Sequence, residues 1–258
     1  MNLQEEYMIG LAAKGTRLDK RGLADFRPVT IEKNPISKAE GSARVRMGNT
    51  EVIAGVKLDV GTPFPDKPDE GTLIVSAELS PIASPDFELG PPRENAIELS
   101  RVVDRGIRES GAIDAKKLCI TPKEKVWTVF IDLQILNHDG NLIDACSLAS
   151  IAALSYAVFP AYDGTRVDWF TKTTEKLPMT ATPIAVTVHK IGRQPAYLLV
   201  DPTREEEDAA TARLTVSTMD DGHVAALQKG EAEPFTLEEV EQAIQWSLAK
   251  GKELRALI

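Results

Sequence analysis

One stretch near the middle of the chain, Val126–Ala153, limits the folds open to it more than any other. It runs VWTVFIDLQILNHDGNLIDACSLASIAA. The first part is a long apolar run rich in β-branched and aromatic residues, the composition of a strand buried in a sheet. Asp139-Gly140 breaks it as a tight turn, and a helix of small residues follows. A strand, a turn and a buried helix in such close succession need further layers to cover them. A glycine turn opening a helix is also a place where backbone N–H groups and the helix dipole hold a phosphate. Here Gly140 is followed by Asn141, Leu142, Ile143 and Asp144, which bring no hydroxyl or guanidinium and add a carboxylate. A phosphate would meet a poor site.

The remaining pattern places this unit in a larger plan. Residues 1–14 read as a short amphipathic helix carrying Leu3, Tyr7, Met8 and Leu11, with an exit at Gly15. Alternation marks Ala43–Met47 and Val52–Leu58 as strands joined through Gly48-Asn49, a hairpin signal, and Gly71–Leu79 as the next strand. Proline-rich loops at 61–68 and 80–92 separate these strands from a helix over Glu94–Ser110. Asp163–Pro178 reads as a linker. Beyond it, Ile184–Ile191 and Tyr197–Asp201 read as strands, and Leu214–Thr218 and Val224–Lys229 as a hairpin through Asp220-Asp221-Gly222. The last helix opens with a capping box, Thr236 to Glu239, and carries Val240, Ile244, Trp246, Leu248 and Leu254. Each half is strands followed by helix. The pattern predicts a pseudo-duplicated α+β sandwich, with an entry segment at 1–30, one half at 31–165 and a second at 183–258, forming one compact unit.

Composition narrows the function classes. A chain of 258 residues with 43% hydrophobic content suits a soluble domain with an aliphatic core. No run approaches the ~20 apolar residues of a membrane span, and the N-terminus lacks a signal-peptide pattern, so a cytoplasmic protein is expected. Cys119 and Cys146 lie in apolar segments and read as small buried hydrophobes. His138, His189 and His223 make no metal-ligand spacing, so no metal is expected. A net charge of −9 argues against a surface that is a polyanion platform throughout. Contact with nucleic acid must come from a local basic patch or from one completed by another subunit.

Three clusters could carry chemistry. On the helix Glu94–Ser110, helical spacing puts Ala96, Leu99, Val103 and Ile107 on one face and Arg101, Arg105 and Arg108 on the other. A stripe of guanidiniums can follow a phosphate backbone. It can equally be a solvated face with local pairs, Arg101 to Asp104 and Arg105 to Glu109. Arg93 at the helix start is a further contributor to the same stripe. The second cluster is YLLVDPTREEED, where Asp201 ends a strand and Glu207 stands six residues later. Two carboxylates near a reacting phosphate can bind a divalent cation or donate a proton, while Glu205–Asp208 alone reads as a solvated acidic turn. The third is TRLDKRGLADFRPV, with Arg17, Asp19, Arg21 and Arg27, best explained as structural ion pairing.

The turn at Gly140, the phrase ENAIELSRVVDRGIR over Glu94–Arg108 and the R-x-D-x-R pattern at Arg17–Arg21 together resemble the RNase PH family of phosphate-dependent 3′-to-5′ exoribonucleases. The resemblance runs from about Gly15 to the C-terminus, and is to the non-catalytic RNase PH-like subunits of archaeal exosomes. It implies the RNase PH fold, a strand-helix sandwich of the ribosomal protein S5 domain 2-like type. Active members carry Gly-Ser/Thr-Arg at the phosphate turn, where this chain has Gly140-Asn141-Leu142. They carry a pair of Asp residues where this chain has Asp201 and Glu207. These five positions are degenerate, and no catalytic residue is assigned. The resemblance implies that Arg101 and Arg105 contact RNA. It also implies a hexamer of three heterodimers with a catalytic RNase PH-like subunit, and S1/KH-type cap subunits on one face. The complex would degrade single-stranded RNA with phosphate and add tails in reverse. This chain would bind no cofactor; inorganic phosphate and a divalent cation would sit in the partner's site. An active RNase PH-like enzyme using Asp201 and Glu207 is the alternative, and a purely structural subunit is a third class.

Overall fold

A computed structural model describes residues 3–258; the first two residues of the expected N-terminal helix lie outside the described residues. Within it, α1 covers Leu3–Ala12. Among the described side chains of this helix, which do not include Leu3, Met8 and Ala12 are buried, whereas Tyr7 is 60% exposed. The expected face with Tyr7 beside Met8 is therefore corrected: only one side of that pair meets the protein.

The first half is a sheet ordered β1-β2-β3-β6-β4, built from β1 (Val29–Lys33), β2 (Gly41–Met47), β3 (Thr50–Gly61), β4 (Thr72–Leu79) and β6 (Lys125–Asn137). A short β5 (Cys119–Thr121) also pairs with β6. All pairings are antiparallel except β4 with β6, which is parallel and needs the crossover that α2 (Glu94–Glu109) provides. β6 alternates from Val129 onward: Val129, Ile131, Leu133 and Ile135 are buried, while Asp132 and Gln134 are exposed. Its partner helix, α3 (Leu142–Ser155), is buried from Asp144 through Leu154. Small residues on α3 let it lie close to strands on either side. It packs on β2 and β3 and also on the strand Ile184–Ile191 of the second sheet.

The second sheet is ordered β10-β9-β11-β12, with β9 (Ile184–Ile191), β10 (Tyr197–Val200), β11 (Ala210–Thr218) and β12 (Val224–Gly230). Every residue of β9 is buried. Thr187 meets Asp144 of α3, whereas Lys190 meets Glu239 of the C-terminal helix α5 (Leu237–Arg255), so the two faces of one strand serve two helices. The capping box at the start of α5 forms as expected, Thr236 accepting from the Glu239 N–H at 3.2 Å. One apolar core runs through both halves, from Val45 and Ile131 to Val186 and Val216. Cys146 is fully buried in it, and Cys119 is half-buried at the start of β5.

Two further expectations fail. The stretch 163–178 is no linker: β7 (Val158–Tyr162) and β8 (Val167–Lys176) form a separate hairpin. β8 is solvent-exposed along almost its whole length, so it carries none of the buried alternation by which strands are recognised. The acidic stretch 205–208 is no solvated turn either. It belongs to a short helix, α4 (Arg204–Asp208), whose Glu206 is buried.

Candidate functional site

The end of β10, the turn after β6 and the entry segment meet at one point, and Asp201 is its centre. Asp201 is wholly buried, with a left-handed φ of 47°. Arg27 donates to it from Nε (2.9 Å), Nη2 (2.6 Å) and the backbone N–H (2.7 Å). Arg21 Nη1 adds a bond of 2.9 Å, and Asn141 Nδ2 another of 3.0 Å. Burial by itself would raise the carboxyl, but the Arg27 hydrogen bonds and charge outweigh it and hold Asp201 below the usual carboxylate range. The Arg27 guanidinium continues to the Asp139 carbonyl (2.6 Å), and Thr50 Oγ1 donates to the Gly140 carbonyl (2.7 Å), so the turn itself is tied down. Next to this knot, Arg17 is buried against Glu206 and donates to the carbonyls of Val200 and Asp201 at 2.8 Å each. The cluster Arg17, Arg21 and Arg27 therefore acts as the expected structural ion pairing, with Asp201 as its main anion.

Gly140 and Asn141 place the start of α3 beside this knot. A Cβ on Gly140 would lie 2.4 Å from the Pro202 carbonyl oxygen, and its φ is +85°, so only glycine fits where the turn presses on the 202–204 backbone. Asn141 is the helix N-cap in a left-handed conformation (φ 58°). Its side chain caps nothing and instead joins Asp144 and Asp201, at 3.1 and 3.0 Å. The Glu207 carboxyl lies near the backbone N–H of Asn141, which favours its charged form. An internal carboxylate thus sits at the helix N-terminus where an external anion would bind. Burial pushes the Glu207 carboxyl up, with Arg204 and the Asn141 N–H opposing it. Asp201 and Glu207 are brought to the same corner but face different tasks: one is locked by arginines, the other plugs the helix end. Among the described residues, no group of three or more His, Cys, Asp or Glu could hold a metal ion.

Asp144, in the first turn of α3, is legible in the sequence only as an added carboxylate. It is fully buried, accepts from the Thr187 N–H (3.0 Å) and Oγ1 (2.7 Å), and burial pushes it up to about 7. Glu206 and Thr50 carry no sequence signal of their own; nothing local distinguishes Glu206 from its acidic neighbours until Arg17 reaches it across the chain.

The arginine stripe lies elsewhere, on α2. Ala96, Leu99, Val103 and Ile107 are buried as expected, with Val102 and Gly106 beside them. Arg101 makes no hydrogen bond or ion pair among the described residues, and it is exposed. Arg105 is exposed too and donates to Gln228 Oε1 on β12 (2.5 Å). The alternative pairs of Arg101 with Asp104 and Arg105 with Glu109 do not form: Asp104 is taken by Arg108 at 2.7 Å, and Arg105 turns to Gln228 instead. Arg108 also donates to the Leu73 carbonyl (3.0 Å), and Arg93 pairs with Glu88 at the surface. Two guanidiniums, Arg101 and Arg105, are left without an internal carboxylate; Arg93 and Arg108 are not.

The family model for the 3′ exoribonuclease family, domain 1, matches residues 25–160, and that for domain 2 matches residues 181–250. The chain belongs to the RNase PH family. It is 52% identical over 256 residues to the exosome complex component Rrp42 of Methanosarcina acetivorans, covering 99% of this chain and 93% of that one. The Rrp42 of Thermoplasma acidophilum is 49% identical over 98% of this chain and 94% of its own. Among solved structures, a chain of the Archaeoglobus fulgidus exosome with RNA bound to the active site superposes with a TM-score of 0.90. Its identity is 44%, and the match covers 98% of this chain and 97% of that chain. The mixed α+β architecture with its two large sheets is the RNase PH fold.

Proposed function

We propose that this chain is the non-catalytic RNase PH-like ring subunit of an archaeal exosome, acting in 3′-to-5′ phosphorolytic degradation of RNA in the cytoplasm. The observation that carries the reading is the state of the phosphate corner. Asp201 is sealed under Arg27, Arg21 and Asn141, and Glu207 occupies the helix N-terminus. A carboxylate whose oxygens are fully engaged cannot ligate a metal or deliver a proton to a leaving oxygen. Catalysis then belongs to an RNase PH-like partner, with which this chain forms a hexamer of three heterodimers. Inorganic phosphate and a divalent cation are held on the partner, and S1/KH-type subunits cap one face of the ring. The names of the relatives, exosome components and an exosome structure holding RNA, support the assembly.

The contribution of this chain to RNA is the α2 stripe. Arg101 and Arg105 are exposed and free of internal carboxylates, so each can neutralise a phosphate without first breaking an ion pair. The test is reconstitution. The chain alone, given single-stranded RNA and phosphate, should release no nucleoside diphosphate; mixed with a catalytic RNase PH-like subunit, it should give a particle of three heterodimers that does. Diphosphate release by the purified chain alone would overturn the reading in favour of an autonomous enzyme.

A further inference from the structure

Beside the Asp201 knot, between α2, the start of α3 and the second sheet, lies an open cavity of about 230 Å³ whose wall includes His138, His189, Arg204, Glu207, Arg213 and Glu98. We propose that this cavity is a socket for a guanidinium, filled in the ring by an arginine side chain of the adjacent subunit. The inference rests on the ring assembly proposed above and assigns a partner chemistry to a part of the surface that the assembly alone leaves unassigned.

Charge decides against an anion. Four carboxylates line the cavity, Glu98, Glu207, Asp208 and Glu231, against two guanidiniums, Arg204 and Arg213. Those two are already committed within the chain. Arg213 holds Glu98 at 2.5 Å and Glu231 at 2.8 Å, and Arg204 holds Asp208 at 3.0 Å. Among the described residues, Glu207 has no arginine or lysine within ion-pair distance; the basic side chain that reaches it is His138, 4.0 Å away. Burial and Arg204 together lower His138 to about 4, so it is neutral and cannot serve as the counter-charge. Two guanidiniums against four carboxylates leave the cavity net negative, and among the described residues Glu207 is the carboxylate with no guanidinium or ammonium in ion-pair reach.

A second observation is independent of charge. His189 is 2% exposed and lines the same cavity, yet neither of its ring nitrogens hydrogen-bonds to any described residue; Nδ1 is fully enclosed. A buried imidazole without a partner carries the desolvation cost of its polar atoms. Burial and the nearby Arg213 and Arg17 keep it neutral, so it retains one acceptor nitrogen for an incoming N–H. A carboxylate and a neutral imidazole acceptor around one cavity match a planar group with several donors and one positive charge. Guanidinium has that fork; an ammonium offers a single point charge, and phosphate would face mostly acceptors and negative charge.

Glu207→Gln separates this role from folding, because the amide keeps the size of the side chain and an acceptor oxygen while the charge is lost. The isolated variant should be no less stable to urea than the parent chain. Its assembly with the catalytic partner, measured by sedimentation, should be at least about tenfold weaker and less sensitive to salt. In the isolated chain, methylguanidinium should shift the His189 ring-nitrogen resonances, and inorganic phosphate should not. A ring that forms equally well with E207Q overturns the socket and leaves the assembly standing. A response of His189 to phosphate in place of methylguanidinium overturns it as well. Failure of the parent chain to form any ring removes the assembly reading and the socket with it.

Discussion

At the scale of single residues, two carboxylates in one buried corner behave in opposite ways. Asp201 is held low by Arg27, so it contributes stability above the unfolded carboxyl value of about 3.9 and loses it as pH falls through its lower folded value. Asp201→Asn should cost about 3–5 kcal/mol near neutral pH, since it leaves Arg27 buried without a full counter-charge. Urea unfolding would measure it, and the gap between variant and parent should close in acid. Asp144 is raised to about 7, so the fold favours its protonated form. Its contribution is complete below about 3.9 and declines as pH rises to about 7. Asp144→Asn can keep the bonds to Thr187 and Asn141 with its oxygen and nitrogen, and carries no proton to lose. Relative to the parent, the variant should gain stability steadily between about pH 4 and 7, and no further above that; a pH-independent difference would contradict the assignment. Asp201 was legible in the sequence as a strand-end carboxylate. Its lock was not, because Arg27 and Arg21 lie more than a hundred residues away and only folding selects them over other cations.

At the scale of elements, α2 divides its work by face. Leu99 is 4% exposed in the shared core, and Leu99→Ala should cost about 2–5 kcal/mol. Arg101 touches no partner, so Arg101→Ala should leave stability within about 0.5 kcal/mol of the parent in chemical denaturation. The double change Arg101→Ala with Arg105→Ala should instead show itself in the assembled ring. Each lost phosphate contact removes about 0.7 from the slope of log affinity against log salt, so the slope should shrink by about 1.4. An unchanged slope would take RNA contact away from this stripe. Periodicity makes the buried face of α2 readable from the amino-acid order, because one helix face meets one core. The β7–β8 hairpin was not readable for the same reason in reverse. Its strand β8 is paired on an exposed ribbon, and its residues show none of the apolar alternation that burial imposes.

At the scale of the whole molecule, the two family domains are not independent units. They share one hydrophobic core, α3 packs on both sheets, and the Arg17–Glu206 and Arg27–Asp201 pairs join the entry segment to the second half. The chain should therefore unfold in a single transition. Fluorescence of Trp127 and Trp169 in the first half and Trp246 on α5 should report the same midpoint as far-ultraviolet circular dichroism. Single-tryptophan variants with separated midpoints would show that the halves melt apart. Near neighbours in the chain set most of the strands and helices, the turn at Gly140 and the apolar face of α2, but gave no sign of the exposed β7–β8 hairpin or of the short α4. The tertiary structure alone decided which charges meet. It placed Glu207 at the start of α3, sealed Asp201 under arginines from the entry segment, and left Arg101 and Arg105 outside. Hydrophobic periodicity is a local property of the chain, whereas an ion pair is chosen by distance in space and by how much water is excluded around it.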